Sequence, residues 1–203
     1  MADIKPTRSE LIKLRRKIRL ARSGHSLLKK KRDGLIIEFF DVLKKAKTLR
    51  QELVEEYRKA VAKMNIARIT EGDLKLKSLA MAVSQKPEIN LQTKNIMGVI
   101  VPKIESAGLQ KKMQNRGYGL IGSSIAIDES VAAYEKVVEK VILAAEIETS
   151  MKRLLQEIEK TKRRVNALEF AVIPKMQETE RFIRFRLEEM ERENIFRLKR
   201  IKA

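Results

Sequence analysis

The sequence predicts a mainly all-α fold. Two long helices, N- and C-terminal, form an antiparallel coiled coil around a small middle insert with a short helix and a β-hairpin. Three observations carry this. Apolar residues recur every three or four positions along two long stretches. Six of the eight glycines and two of the four prolines lie between residues 70 and 127. Charged residues make up 35% of the 203-residue chain and aromatics 4%, a mix that suits solvated helices better than a compact core. The expected segments are an N-terminal long helix (1–69), a small α/β insert (70–127) and a C-terminal long helix (128–203).

The first helix opens at Thr7 and Glu10, which match the S/T-x-x-E capping box, and Pro6 closes off any helix upstream. Its seam runs through Leu11, Leu14, Ile18, Ala21, Leu28, Leu35, Phe39, Val42, Ala46, Leu49 and Leu53. The steps are three, four or seven residues, with His25 and Arg32 filling the missing places. That 3.5-residue period is the signature of helices supercoiling around a partner. At 1.5 Å per residue such a helix is on the order of 90 Å long. Gly24 and Gly34 lie inside it; either one ends the helix or they admit the close approach of another backbone. Near the end, Tyr57 and Met64 replace the expected Glu56 and Lys63, as an ordinary 3.6-residue helix would drift.

In the middle, Asp73 is expected to cap a short helix, LKLKSLAMAVS, that stops before Pro87. Ile89, Leu91 and Thr93 alternate, and Val99, Ile100 and Val101 are β-branched, which predicts two short strands in a hairpin. Pro102 suggests an edge strand. The run KKMQNRGYGLIGSS reads as a mobile loop.

The second long helix is expected from an Asp128 cap to about Lys202. Its apolar positions are Tyr134, Val137, Val141, Ala144, Met151, Leu155, Ile158, Val165, Leu168, Val172, Met176, Ile183, Leu187, Met190, Leu198 and Ile201. Pro174 removes one amide donor and should bend or interrupt this helix near Phe170.

Several chemistries are excluded by composition. The chain has no cysteine, so disulfides and cysteine-ligated metals are out. The single histidine, His25, rules out a multi-histidine metal site and sits at a seam position, where it reads as a polar register element. Gly117-Tyr118-Gly119-Leu120-Ile121-Gly122 matches G-x-G-x-x-G letter for letter but lacks the flanking βαβ unit, and reads as a flexible linker. No cofactor and no catalytic residue are called for. No apolar run approaches the ~18 residues of a membrane span, and no signal peptide is read, so a cytoplasmic location is expected.

The formal net charge is +18, and residues 1–50 hold 16 lysines and arginines against 5 acidic residues. The densest run is Lys29, Lys30, Lys31 and Arg32, with Arg8, Arg15, Arg16 and Arg22 nearby. Such a run reads as a solvated face, a localisation-like patch or a contact surface for an acidic partner. On composition and periodicity alone, a structural coil, an assembly subunit and a nucleic-acid binder all stay open. Stacking aromatics are few, however, and no DNA-binding motif is present.

The residues also resemble a known family, the D subunits of the A-type/V-type rotary ATPases. At the N-terminal end the likeness lies in Pro6-Thr7, Leu11 with Leu14, Gly24-His25, Leu27-Leu28-Lys29 and Lys31-Arg32-Asp33. At the C-terminal end it lies in Arg163-Arg164-Val165-Asn166-Ala167-Leu168-Glu169, Ile173-Pro174, Glu191-Arg192-Glu193 and Arg197-Leu198-Lys199. The end at Ala203 looks more like archaeal or bacterial members.

The resemblance implies a non-catalytic central-stalk rotor subunit that carries torque between a catalytic ring and a membrane ion-translocating rotor. It also implies that the subunit sits peripheral to the membrane without inserting into it. The implied partners are the catalytic and nucleotide-binding ring subunits, the small F subunit of the stalk and a funnel-shaped subunit above the membrane rotor. Ring contacts are then expected at Arg8, Arg15, Arg16, Arg22, Lys29, Lys30, Lys31 and Arg32. The coil seam is expected at Leu11, Leu14, Ile18, His25, Leu28, Leu35, Phe39, Val165, Leu168, Val172, Met176, Ile183, Leu187 and Met190. Contacts with the F subunit are expected at Leu49, Leu53, Tyr57, Val137, Val141 and Met151. The alternative is a basic coiled-coil structural or nucleic-acid-binding protein.

Overall fold

The computed structural model describes residues 6–82, 88–107, 116–118 and 124–202. The elements in chain order are α1 (Arg8–Glu71), α2 (Asp73–Ala82), β1 (Glu88–Ile96), β2 (Val99–Ala107), α3 (Ile125–Ala167), a π-helical turn (Leu168–Val172) and α4 (Ile173–Lys202). The chain divides into two compact units, a terminal one (Met1–Ile36 with Glu157–Ala203) and a middle one (Ile37–Gln156).

The helix ends show which backbone groups are satisfied. The Glu10 amide donates to Thr7 Oγ1 at 3.2 Å, one half of a capping box. The other half is absent, because the Glu10 carboxylate instead takes Lys13 Nζ at 2.9 Å. Neither Gly24 nor Gly34 ends α1. A Cβ added at Gly24 would meet nothing within 4 Å, so no close approach requires glycine there. Gly72 is what stops α1: its left-handed φ of 81° turns the chain, and its amide donates to Arg68 O at 3.0 Å. The cap expected at Asp73 is therefore displaced. Asp73 lies in the first turn of α2, where its charge faces the helix dipole and Lys77 at 3.1 Å. Likewise α3 starts at Ile125, ahead of the expected Asp128 cap, with the Ser124 carbonyl accepting from the Ile127 amide at 3.0 Å.

Within the terminal unit, Arg15 meets Glu180 at 2.8 Å, His25 meets Glu169 at 3.3 Å and Lys31 meets Glu157 at 3.6 Å, with Arg8 paired to Glu191. Partner numbers fall as α1 numbers rise, so the helices run antiparallel. Ile18, Leu35, Val165 and Ile183 are buried between them. Leu11, Leu14, Ala21, His25, Leu28, Leu168, Val172, Met176 and Leu187 are half-buried on the same stripe. Met190, Leu198 and Ile201 lie outside it. For Leu198 and Ile201 the reason is length: the first residue of α1 is already opposite Glu191, so α4 has no described α1 residue to pack against beyond that level. Met190, at the last paired level, is 40% exposed at the open end of the seam.

Pro174 acts where the sequence places it. It has no amide to give the Phe170 carbonyl, and the backbone widens into a π-helical turn in which the Ile173 amide reaches Leu168 O.

In the middle unit, Glu52 pairs with Lys140 at 3.1 Å and Lys63 with Glu129 at 3.3 Å, again antiparallel. The buried stripe of α1 continues through Leu53, Glu56, Ala60, Met64 and Ala67, with both alanines fully buried. Tyr57 is 51% exposed, so the drift begins at Met64 and not at Tyr57. In α3 the stripe also departs from the apolar reading. Ile142 and Leu154 are buried, whereas Val141 and Leu155 are 47% and 44% exposed. Ser130, Ser150 and Thr161 complete the stripe, and a search for apolar residues passes over them. The Ser130 hydroxyl satisfies itself by donating to Ile127 O at 2.8 Å, which lets a small polar residue stay inside.

The hairpin forms as expected. β1 and β2 pair antiparallel from Glu88↔Ala107 to Ile96↔Val99. Met97 and Gly98 both have positive φ, 49° and 86°, as a two-residue type I′ turn requires. Asn95 Oδ1 accepts the Gly98 amide at 2.8 Å. α3 covers the outer edge of β2: the Ile104 amide donates to Glu146 at 3.0 Å and Arg153 donates to Ile100 O at 2.7 Å. Pro102 alternates with Ile100 and Ile104 on that outer edge, so its missing amide costs β1 no hydrogen bond.

Candidate functional site

Two surfaces carry the residues singled out by sequence. The first is the basic side of α1 in the terminal unit. Helical periodicity turns Arg15, Arg16, Arg22, Lys29 and Lys30 outward, away from the seam. The fold divides the basic set in two. Arg8, Arg15 and Lys31 are tied to Glu191, Glu180 and Glu157 across the pair, and Arg32 to Asp33 at 2.8 Å. Arg16, Arg22, Lys29 and Lys30 are exposed and have no ion-pair partner among the described residues. In the terminal unit the cross-helix pairs put the cation on α1 and the carboxylate on the returning helices. Part of the N-terminal charge is thus neutralised within the chain, and these four residues, with Lys17 and Arg19, carry charge that stays outward.

The second surface lies in the middle unit. The Glu52–Lys140 pair brings the Leu49–Tyr57 stretch of α1 alongside the Val137–Val141 stretch of α3. Val137 is buried between them, and Leu49, Leu53 and Met151 are half-buried. Tyr57 and Val141 face outward, joined by Val54 and Val138, each at 40% exposure or more. Apolar side chains displayed one turn apart on a helix face suit a partner surface.

Sequence reasoning missed a third feature. Residues 116–118 are packed, contrary to the loop and linker readings of this stretch; Gly119–Gly122 lie outside the described residues. The Tyr118 hydroxyl donates to Asp128 Oδ1 at 2.6 Å, and Arg116 donates to both Glu135 oxygens at 3.2 Å. Burial pushes the Tyr118 hydroxyl above its ordinary pKa, and the bond to Asp128 acts the same way. Burial opposes the charge on Arg116, but hydrogen bonds to Tyr118 and Glu135 outweigh it and hold its pKa above the ordinary value. The bonds of Arg116 to Glu135 and of Tyr118 to Asp128 fasten residues 116–118 onto α3. The one sequence signal was Tyr118 itself, an aromatic in a chain that has few.

Among the described residues no three His, Asp or Glu side chains converge as a metal-binding group, and no helix is long and apolar enough to cross a membrane.

Comparison with known proteins agrees with this geometry. Residues 10–203 match the family of ATP synthase D subunits. The chain is 62% identical to the A-type ATP synthase D subunit of Methanococcoides burtonii over 200 residues, which are 98% of this chain and 97% of that protein. It is 60% identical to the protein of the same name from Methanosarcina acetivorans over 99% of this chain and 96% of that one. With the Archaeoglobus fulgidus protein it shares 51% over 100% of this chain and 97% of that one. The chain belongs to the ATP synthase D-subunit family, in its A-type form, and is an accessory subunit of that complex rather than a catalytic one.

Proposed function

We propose that this chain is the central-stalk rotor subunit of its synthase and transmits torque between the catalytic ring and the membrane ion-translocating rotor. The observation that carries the reading is the 64-residue α1, unbroken by any cap or proline and paired antiparallel with the C-terminal helices. Torque needs an element that resists bending, and a helix paired along a buried seam supplies it.

The ring subunits are the partners we assign to the terminal unit. Arg16, Arg22, Lys29 and Lys30 are solvated charges that act at a distance and hold no single angle, as a rotating contact requires. The last turns of α4 expose Ile195, Phe196, Leu198 and Ile201, an apolar end that a surrounding sleeve would cover. The small F subunit of the stalk is assigned to the outward face of Val54, Tyr57, Val138 and Val141. The insert between α1 and α3 is assigned to the docking on the funnel-shaped subunit. No membrane insertion is involved, and the chain works at the cytoplasmic side of the complex.

The absence of cysteine makes a direct test available. A cysteine introduced at Phe196 and another in a facing ring subunit should form a disulfide that stops ATP turnover until it is reduced. Full turnover in the crosslinked complex would refute a rotating shaft.

A further inference from the structure

We propose that the coil contains a built-in joint, at the level of Gly24 and His25 on α1 and of the π-helical turn Leu168–Val172 on the returning chain, where bending and twisting of the paired helices concentrate. Four observations meet at this level, all within the terminal unit.

The returning chain is irregular here. The π-helical turn replaces the tighter α-helical ladder, and Pro174 leaves the Phe170 carbonyl without its usual donor. α1 is weakest at the matching level. Gly24 is the residue that least resists backbone rotation, and no neighbour within 4 Å of its missing Cβ explains it by packing.

The seam is only half-buried there, between two fully closed levels. On α1 no residue is fully buried between Ile18 and Leu35, and on the returning chain none is between Val165 and Ile183. Phe170 is 74% exposed, so the one aromatic of the turn does not pack into the gap. Finally, His25 Nε2 and Glu169 Oε2 lie 3.3 Å apart, a polar contact bridging α1 and the π-helical turn. A polar, half-exposed bridge can break and reform at little cost, whereas an interdigitated apolar seam moves only as a unit.

The joint is a property of the chain itself. Its use as a compliant element in torque transmission rests on the shaft reading, which the crosslink experiment tests separately. The test of the joint is hydrogen–deuterium exchange of the full-length chain, read by peptide mass spectrometry. Amides of residues 20–28 and 167–176 should exchange at least about tenfold faster than those of 14–18, 29–35, 157–165 and 177–183. In the double variant Gly24→Ala with Pro174→Ala, which favours regular helix at both positions, exchange at this level should slow to the flanking rate with helix content kept. Uniform exchange along the wild-type coil would overturn the joint, and so would a double variant that still exchanges fast at this level.

Discussion

The Tyr118 hydroxyl donates a 2.6 Å hydrogen bond to Asp128 Oδ1 and thereby pins a segment that lacks secondary structure to the first turn of α3. Tyr118→Phe removes this bond and leaves one acceptor of a partly buried carboxylate unmet, which should cost about 1–3 kcal/mol of stability. Denaturant unfolding of the variant against wild type measures it. The same group gives a pH dependence. Its pKa is raised in the folded chain, so its stabilising contribution is full below the ordinary value of 10.0 and is lost as pH rises through the folded value. Absorbance titration of wild type against Tyr118→Phe should show the Tyr118 hydroxyl ionising above its ordinary range.

The seam separates core from surface among leucines of one helix. Leu35 is fully buried and Leu20 is 74% exposed. Leu35→Ala should therefore cost about 2–5 kcal/mol, and Leu20→Ala should stay within roughly 0.5 kcal/mol of wild type. Thermal melting of both variants is the check; equal losses would mean that the pairing does not depend on this seam.

Met97 holds a left-handed φ of 49° in the hairpin turn, a conformation that costs a side chain roughly 1–2 kcal/mol and suits Asn or Gly better. Met97→Asn should raise hairpin stability by about 0.5–1 kcal/mol. Amide exchange within 88–107 reads this locally, and unchanged protection there would count against it.

The four outward cations should matter to assembly and not to folding. Lys29→Gln with Lys30→Gln removes charges that have no partner among the described residues, so melting should hold while association with the ring weakens and becomes less dependent on salt. Lys31→Gln differs in kind. It unpairs Glu157, and because the two side chains are 35% and 26% exposed, the loss should be about 1 kcal/mol or less. Ring association measured across a salt series, together with the melting temperature, separates the two classes. Equal effects on association from Lys29, Lys30 and Lys31 would show that the intramolecular pair makes no difference.

By itself the sequence determined the elements. Long helices need only a sustained period and few prolines, and both are local properties that can be counted along Leu11 to Leu53, which has no proline, and Val165 to Leu187, which has only Pro174. The hairpin was legible for the same reason, since alternation at Ile89–Thr93 and the β-branched run Val99–Val101 are local, and Pro174 announced its own disruption of the ladder. What only tertiary structure decided was which charges and which side of a stripe are used. Counting charges could not show that Arg8, Arg15 and Lys31 are spent on Glu191, Glu180 and Glu157, because those partners lie more than a hundred residues away in sequence. Nor could apolar spacing place Ile142 and Leu154 inside ahead of Val141 and Leu155: the stripe is completed by Ser130, Ser150 and Thr161, small enough to be buried and able to satisfy their hydroxyls on backbone, as Ser130 does. Tyr118 makes the same point, for its place was set by a carboxylate ten residues on, which becomes a partner only once α3 has formed.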